Sequence, residues 1–71
     1  MFTKEDIDNW FSYHTPTGEQ PARYGMIREK ARELAVVILS CTPASADQTA
    51  AIRKLREAVM TANAAIACGG K

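Results

Sequence analysis

The stretch that decides the fold of this 71-residue chain is QPARYGMIREKARELAVVILS, residues 20–40. Its apolar positions recur at spacings of three and four residues, which is typical of one face of an α-helix. These positions are Tyr24, Ile27, Ala31, Leu34 and Ile38. Thr17 and Gln20 have the spacing of a capping box, and Pro21 is tolerated in a first helical turn. We therefore predict a helix over about residues 19–40.

A second stripe with the same spacing follows the break at Pro43. It consists of Ile52, Leu55, Val59, Ala62 and Ile66. Ser45 and Gln48 repeat the capping-box spacing, and Gly69 with Gly70 supplies a stop, so we predict a helix over about residues 46–67. A short connection between two long helices favours an antiparallel helical hairpin. Its facing pairs would be approximately Ile27 with Ile66, Leu34 with Val59, and Ile38 with Leu55.

A short helix is predicted before the hairpin, over about residues 4–11. Thr3 and Asp6 resemble a helix start, and Ile7, Trp10 and Phe11 form a short apolar face before the break at 15–18. The expected fold is thus all-α, with a short N-terminal helix followed by an antiparallel helical hairpin. The length leaves room for a single domain, residues 1–71.

A chain of this size needs additional stabilisation, because the core of so small a domain rarely suffices. Cys41 and Cys68 would lie at opposite ends of the hairpin, about 30 Å apart, which excludes an intrachain disulfide in that layout. Residues 35–39 are apolar all round the helix, and the last helix carries further apolar residues off its stripe, including Met60 and Ala65. One partner helix cannot cover this surface, so we expect a homo-oligomer.

Charge and motifs exclude several function classes. The formal net charge is +1, which argues against binding of long nucleic acid. The longest apolar run, residues 34–39, is too short for a membrane span, and the start of the chain does not resemble a signal peptide, so we expect a cytoplasmic protein. His14 is the only imidazole, and no catalytic constellation, phosphate loop or metal-ligand spacing is apparent. We expect no enzyme activity, no metal and no cofactor.

Two groups of residues are candidates for ligand binding. Aromatic side chains cluster at residues 10–14, before a basic helix, and a nucleotide pocket needs aromatic faces beside guanidinium groups. Packing on the hairpin is the favoured interpretation for Trp10 and Phe11, whereas for Tyr13 and His14 packing and base stacking both stay open.

The basic helix itself carries the second group. Glu29 with Arg32, and Lys30 with Glu33, have the spacing of ordinary surface ion pairs. Arg28 and Arg32 are like charges one turn apart, an arrangement that favours either an anion between them or a solvated face.

The chain resembles a family of small phage proteins, the anti-CBASS and anti-Thoeris sponges, over residues 10–67. The resemblance rests on FSYH at 11–14, QPxRYxxIR at 20–28, AxxLA at 31–35, a Pro-x-Ser turn at 43–45, LREAVM at 55–60 and ANAAIA at 62–67. It implies helical hairpins, often assembled as hexamers, which bind cyclic dinucleotides or trinucleotides between subunits without cleaving them. The expected function is therefore sequestration of a signal of bacterial anti-phage immunity in the cytoplasm of the infected host.

The resemblance also implies site residues. The aromatic residue that stacks on a base falls on Tyr13, with His14 beside it, and the basic residue that meets phosphate falls on Arg28. The arginine of the family's second pocket is replaced by Ala64, next to Asn63, which places trinucleotide binding there in doubt. The expected ligand site comprises Tyr13, His14, Arg28, Arg32 and Asn63. The alternative function is an oligomeric adaptor that docks another protein on the apolar surface of residues 36–39.

Overall fold

The computed structural model describes residues 2–71, and these form three helices and no strand. The helices are α1 (Lys4–Trp10), α2 (Gln20–Cys41) and α3 (Ala46–Ala67). The prediction of an all-helical fold is thus confirmed for this part of the chain. The radius of gyration is 15.2 Å, whereas a compact chain of this length would have about 11 Å. The fold is therefore elongated.

The helix start predicted at Thr3 forms a complete capping box, whereas the capping boxes predicted at Thr17 and at Ser45 each form only one of their two hydrogen bonds. At α1, the Thr3 hydroxyl accepts from the Asp6 N–H at 3.1 Å and the Asp6 carboxylate accepts from the Thr3 N–H at 2.9 Å. At α3, the Ser45 hydroxyl accepts from the Gln48 N–H at 3.1 Å. At α2, however, Glu19 is the N-cap and its side chain makes no capping hydrogen bond. Thr17 is therefore not the N-cap of α2, although Gln20 Oε1 accepts from the Thr17 N–H at 3.1 Å, which is one half of the predicted capping box.

The end of α3 is fixed by its two glycines, both of which have positive φ. The Gly70 N–H donates to the Ala65 carbonyl at 2.9 Å, and the Gly69 N–H donates to the Ile66 carbonyl at 3.2 Å. These two bonds form a Schellman motif, in which a residue without Cβ is preferred at the left-handed position. The stop predicted from Gly69 and Gly70 is confirmed.

Helices α2 and α3 pack against each other, and side-chain hydrogen bonds link their ends. Gln20 Nε2 donates to the Ile66 carbonyl at 3.4 Å, and Gln48 Nε2 donates to the Leu39 carbonyl at 3.3 Å. The first residue of α2 therefore lies beside the last turn of α3. The expected pairs Ile27 with Ile66, Leu34 with Val59, and Ile38 with Leu55 share one register and are all out of register with these bonds. The reason is that only residues 42–45 separate the two helices, so their adjoining ends meet directly.

Neither helix buries its stripe completely. All five stripe residues of α3 are half-buried, but Leu34 of α2 is 48% exposed and Ala35 is half-buried in its place. The prediction that Leu34 belongs to the stripe is therefore wrong. A step of four residues from Ala31 stays closer to the line of contact than a step of three, so Ala35 lies at the contact instead. Within residues 2–71, no residue is fully buried. The chain alone has no closed hydrophobic core.

Helix α1 is attached to the end of α3. Trp10 Nε1 donates to the Lys71 carbonyl at 2.9 Å, and Asn9 Nδ2 donates to the Cys68 carbonyl at 3.4 Å. The Phe2 ring meets the Trp10 ring edge to face, with centroids 4.8 Å apart. Both cysteines are free thiols. Among residues 2–71, none of the helices has the length and apolar character needed to cross a membrane.

Candidate functional site

The linker between α1 and α2, residues 11–19, positions Tyr13 and His14. The Ser12 hydroxyl donates to the Asp8 carbonyl, and His14 Nε2 lies 2.7 Å from the Asn9 carbonyl oxygen. Because a carbonyl only accepts, His14 Nε2 is the donor in this hydrogen bond. His14 is half-buried, while the Tyr13 ring is 85% exposed. The linker therefore holds His14 against α1 and presents Tyr13 to solvent, where its faces are open to stacking.

Arg28 and Arg32 are exposed on α2. In the described part of the chain, the ion pairs are Arg23 with Glu19 at 3.6 Å and Lys30 with Glu33 at 3.3 Å. The expected pair of Lys30 and Glu33 is thus confirmed, whereas Glu29 and Arg32 do not pair. Neither Arg28 nor Arg32 has a carboxylate of residues 2–71 within 4.0 Å.

The guanidinium group of Arg28 lies over Gly25. A Cβ built on Gly25 would lie 3.8 Å from Arg28 Nη2, so the Arg28 side chain runs back along α2 over the glycine. This direction is usual for long side chains on helices, which lean toward the helix N-terminus. It brings the charge of Arg28 toward the end of α2 that follows the linker with Tyr13.

Asn63 is half-buried on α3, and its side-chain Oδ1 is buried without a hydrogen-bond partner among residues 2–71. A buried amide oxygen without a donor is energetically unfavourable. The Oδ1 atom of Asn63 can therefore accept a hydrogen bond from a donor that does not belong to the described residues. Its neighbour Ala64 is exposed.

An open groove of about 610 Å³ separates α1 from the outer face of α3. Trp10 and Phe11 form one wall, and Met60, Ala64 and Ala65 contribute to the other. Phe11 is 83% exposed, so the interpretation of Phe11 as a packed core residue is wrong. The physical reason is that α1 is attached to the chain mainly through its hydrogen bonds near Cys68 and Lys71, which leave its aromatic residues beside the groove.

The sequence did not predict this groove, although Met60 and Ala65 stood out as apolar residues off the stripe. None of the five predicted site residues lines it, and none lines the smaller hollow beside Glu5 and Gly69. The structure brings Tyr13 and His14 together, and Arg28 and Arg32 together, but it does not enclose both pairs in one cavity. No group of three or more His, Cys, Asp or Glu side chains in the described residues is arranged to hold a metal ion.

The geometry is that of a small helical protein whose aromatic and cationic groups lie on its surface, where they are open to a ligand. The model of the Acb2/Tad1 hairpin domain matches residues 3–67, and the chain belongs to this family, that of the phage anti-CBASS and anti-Thoeris sponges. The family predicted from the sequence motifs is confirmed. Neither a curated protein nor a solved structure gives a match to the chain.

Proposed function

We propose that this protein is a sponge that binds and sequesters cyclic oligonucleotide second messengers of bacterial anti-phage immunity, without cleaving them, in the cytoplasm of the infected host. Membership of the Acb2/Tad1 family over residues 3–67 supports a role in cyclic nucleotide binding. Sequestration requires only that the protein binds tightly and is more abundant than the signal. The host effector then lacks its activator.

The observation that carries the proposal is that aromatic and guanidinium groups are exposed, while none of residues 2–71 is fully buried. Such a chain is suited to complete both its core and its ligand pocket by packing against other copies. The subunit we propose is an antiparallel hairpin of α2 and α3, supported by the hydrogen bonds of Gln20 to Ile66 and of Gln48 to Leu39. The assembly we propose is a homo-oligomer, a hexamer by resemblance to the family.

Each predicted site residue has a role in this proposal. Tyr13 stacks on a base, because its ring is the most exposed of the large apolar side chains in the described residues. His14 orients the linker through its bond to Asn9, and Arg28 and Arg32 bind phosphate oxygens. Asn63 offers its unpartnered amide oxygen to a donor from the ligand or from another subunit. The ligand then lies between subunits, because one chain does not enclose these groups.

The test is a thermal-shift panel with cyclic di-AMP, cyclic di-GMP, cyclic GMP–AMP and cyclic tri-AMP. A ligand that binds only the folded oligomer at 100 times its Kd stabilises it by about 2.7 kcal/mol, so at least one nucleotide should raise the Tm. Tyr13→Ala and Arg28→Ala should remove that shift. Arg23→Ala is the matched control, because Arg23 lies on the same helix but pairs with Glu19.

Two further measurements complete the test. The bound nucleotide should be recovered intact after denaturation of the complex, which separates a sponge from a phosphodiesterase. Native mass should show a closed homo-oligomer. Absence of a Tm shift with all four nucleotides would contradict the proposal.

A second candidate function is supported by the exposed apolar surface of residues 36–39. Val36, Val37 and Leu39 are between 52% and 59% exposed, and exposed apolar side chains that lie close together can mark a protein-binding site. An adaptor would retain a polypeptide in a pull-down from infected cells. A sponge would retain an ultraviolet-absorbing nucleotide instead.

A further inference from the structure

A third arginine, Arg56 of α3, occupies the same position relative to the helix contact as Arg28 and Arg32 of α2. Each of the three directly follows a half-buried stripe residue, namely Ile27, Ala31 or Leu55. Arg53 also follows a half-buried stripe residue, Ile52, but it lies about one turn nearer the start of α3 and therefore farther from the level of Arg28. One residue corresponds to about 100° of rotation around a helix. Each of the three arginines therefore lies on the side of its own helix that is reached by turning about 100° from the helix contact, in the same direction along the chain. Two antiparallel helices are related by a two-fold axis that is perpendicular to both helix axes and to the line that joins them. Corresponding sides of the two helices therefore lie on the same face of the pair.

The hydrogen bonds between the helix ends also fix the level of Arg56. Counting inward from the bond of Gln20 to Ile66, residue 56 is level with residue 30. Counting inward from the bond of Leu39 to Gln48, it is level with residue 31. Arg56 therefore lies across the contact from the midpoint between Arg28 and Arg32. The Cα levels of these two are about 6 Å apart along α2, and packed helix axes are about 8–10 Å apart, so three long side chains can reach a common anion if Arg28, whose guanidinium group lies over Gly25, turns toward Arg32 when the anion binds.

Charge supports a common ligand for the three side chains. All three are exposed, and none has a carboxylate of residues 2–71 within 4.0 Å, since the ion pairs there join Arg23 to Glu19 and Lys30 to Glu33. Three like charges on one face repel one another unless an anion lies between them. The planar guanidinium fork binds the oxygens of phosphate in bidentate fashion.

We propose that Arg56 binds a phosphate group of the nucleotide together with Arg28 and Arg32, so that both long helices of a subunit contribute to one phosphate site. This inference rests on the proposed function and on the antiparallel arrangement of α2 and α3. It assigns a ligand-binding role to α3 at a residue outside the site predicted from the sequence. It also makes the ligand bridge the two helices of a subunit.

The test compares Arg56→Gln with Lys54→Gln by calorimetric titration of whichever nucleotide raises the Tm of the wild-type protein most. Both changes remove one positive charge from α3 and introduce a good helix former, but residue 54 is about 200° from residue 56 around the helix. We expect Arg56→Gln to weaken binding about tenfold or more, and Lys54→Gln to weaken it less than about threefold. Arg56→Lys should fall between wild type and Arg56→Gln, because it keeps the charge without the fork.

The outcomes separate this inference from the function on which it rests. If the wild-type protein binds none of the nucleotides, the proposed function and the proposed phosphate site are both wrong. If the wild type binds and Arg28→Ala weakens binding, while Arg56→Gln binds as tightly as wild type, only the inference about Arg56 is overturned. Equal losses in Arg56→Gln and Lys54→Gln would also overturn it, since they would indicate a general charge effect.

Discussion

The segment where α2 meets α3, residues 36–48, and the opposite end of the helix pair, residues 2–14 and 63–71, expose different chemistry. At the first end, Val36, Val37 and Leu39 are more than half exposed, and Gln48 Nε2 donates to the Leu39 and Thr42 carbonyls and to the Thr42 hydroxyl. At the second end, exposed aromatic rings adjoin the groove and the linker that carries Tyr13. Apolar surface without polar specificity suits contacts between subunits, whereas aromatic rings near cationic groups suit a nucleotide.

The largest expected effect is loss of assembly by a change at residues 36–39. Val37→Asp places a charge on apolar surface that we expect another subunit to cover, and burial of an unpaired carboxylate is costly. Native mass spectrometry should show a shift from the oligomer to the monomer, with a lower Tm. Thr49→Asp is the control, because Thr49 is exposed and polar near the start of α3, where a negative charge is tolerated. Assembly of Val37→Asp like the wild type would contradict the assignment of this surface to subunit contacts.

A smaller effect is expected at the groove of the opposite end. By resemblance, the family's second pocket uses an arginine at the position of Ala64, and Ala64 is exposed on the groove wall. Ala64→Arg should therefore increase the affinity for cyclic tri-AMP about tenfold or more in a calorimetric titration, because a guanidinium group is added next to phosphate oxygens. The control is Ala64→Gln, which adds length without charge. Equal affinities of the two variants would show that the groove is not the trinucleotide pocket.

The features that the sequence predicted correctly depend on local spacing. The stripe of α3, the helix starts at Thr3 and Ser45, and the glycine stop at Gly69 each need only residues within a few positions of one another. The family motifs are likewise contiguous along the chain. Such features are visible in one sequence because helix periodicity and capping are local properties.

The features that the sequence did not predict depend on distant residues. The helix register is fixed where Gln20 reaches Ile66, and α1 is oriented where Trp10 reaches Lys71. The groove follows from that orientation, because it exists only where α1 stands beside the outer face of α3. Single side-chain hydrogen bonds between residues far apart in sequence leave no periodic pattern. Ala35, and not Leu34, lies at the contact between α2 and α3. This too depends on how the two helices pack and not on the periodicity of either helix alone.

The smallest predicted effect distinguishes a helix start that a side-chain hydroxyl caps from one that no side chain caps. Ser45 accepts from the Gln48 N–H, so Ser45→Ala leaves a helix N–H without its side-chain partner and should lower the free energy of unfolding by about 1 kcal/mol. For a chain of this size, that is a fall in Tm of about 4–8 °C. Thr17→Ala is the matched change at α2, where Glu19 is the N-cap, and it should lower the Tm much less. Equal Tm losses in the two variants would show that Thr17 caps α2 after all, as its spacing from Gln20 first indicated.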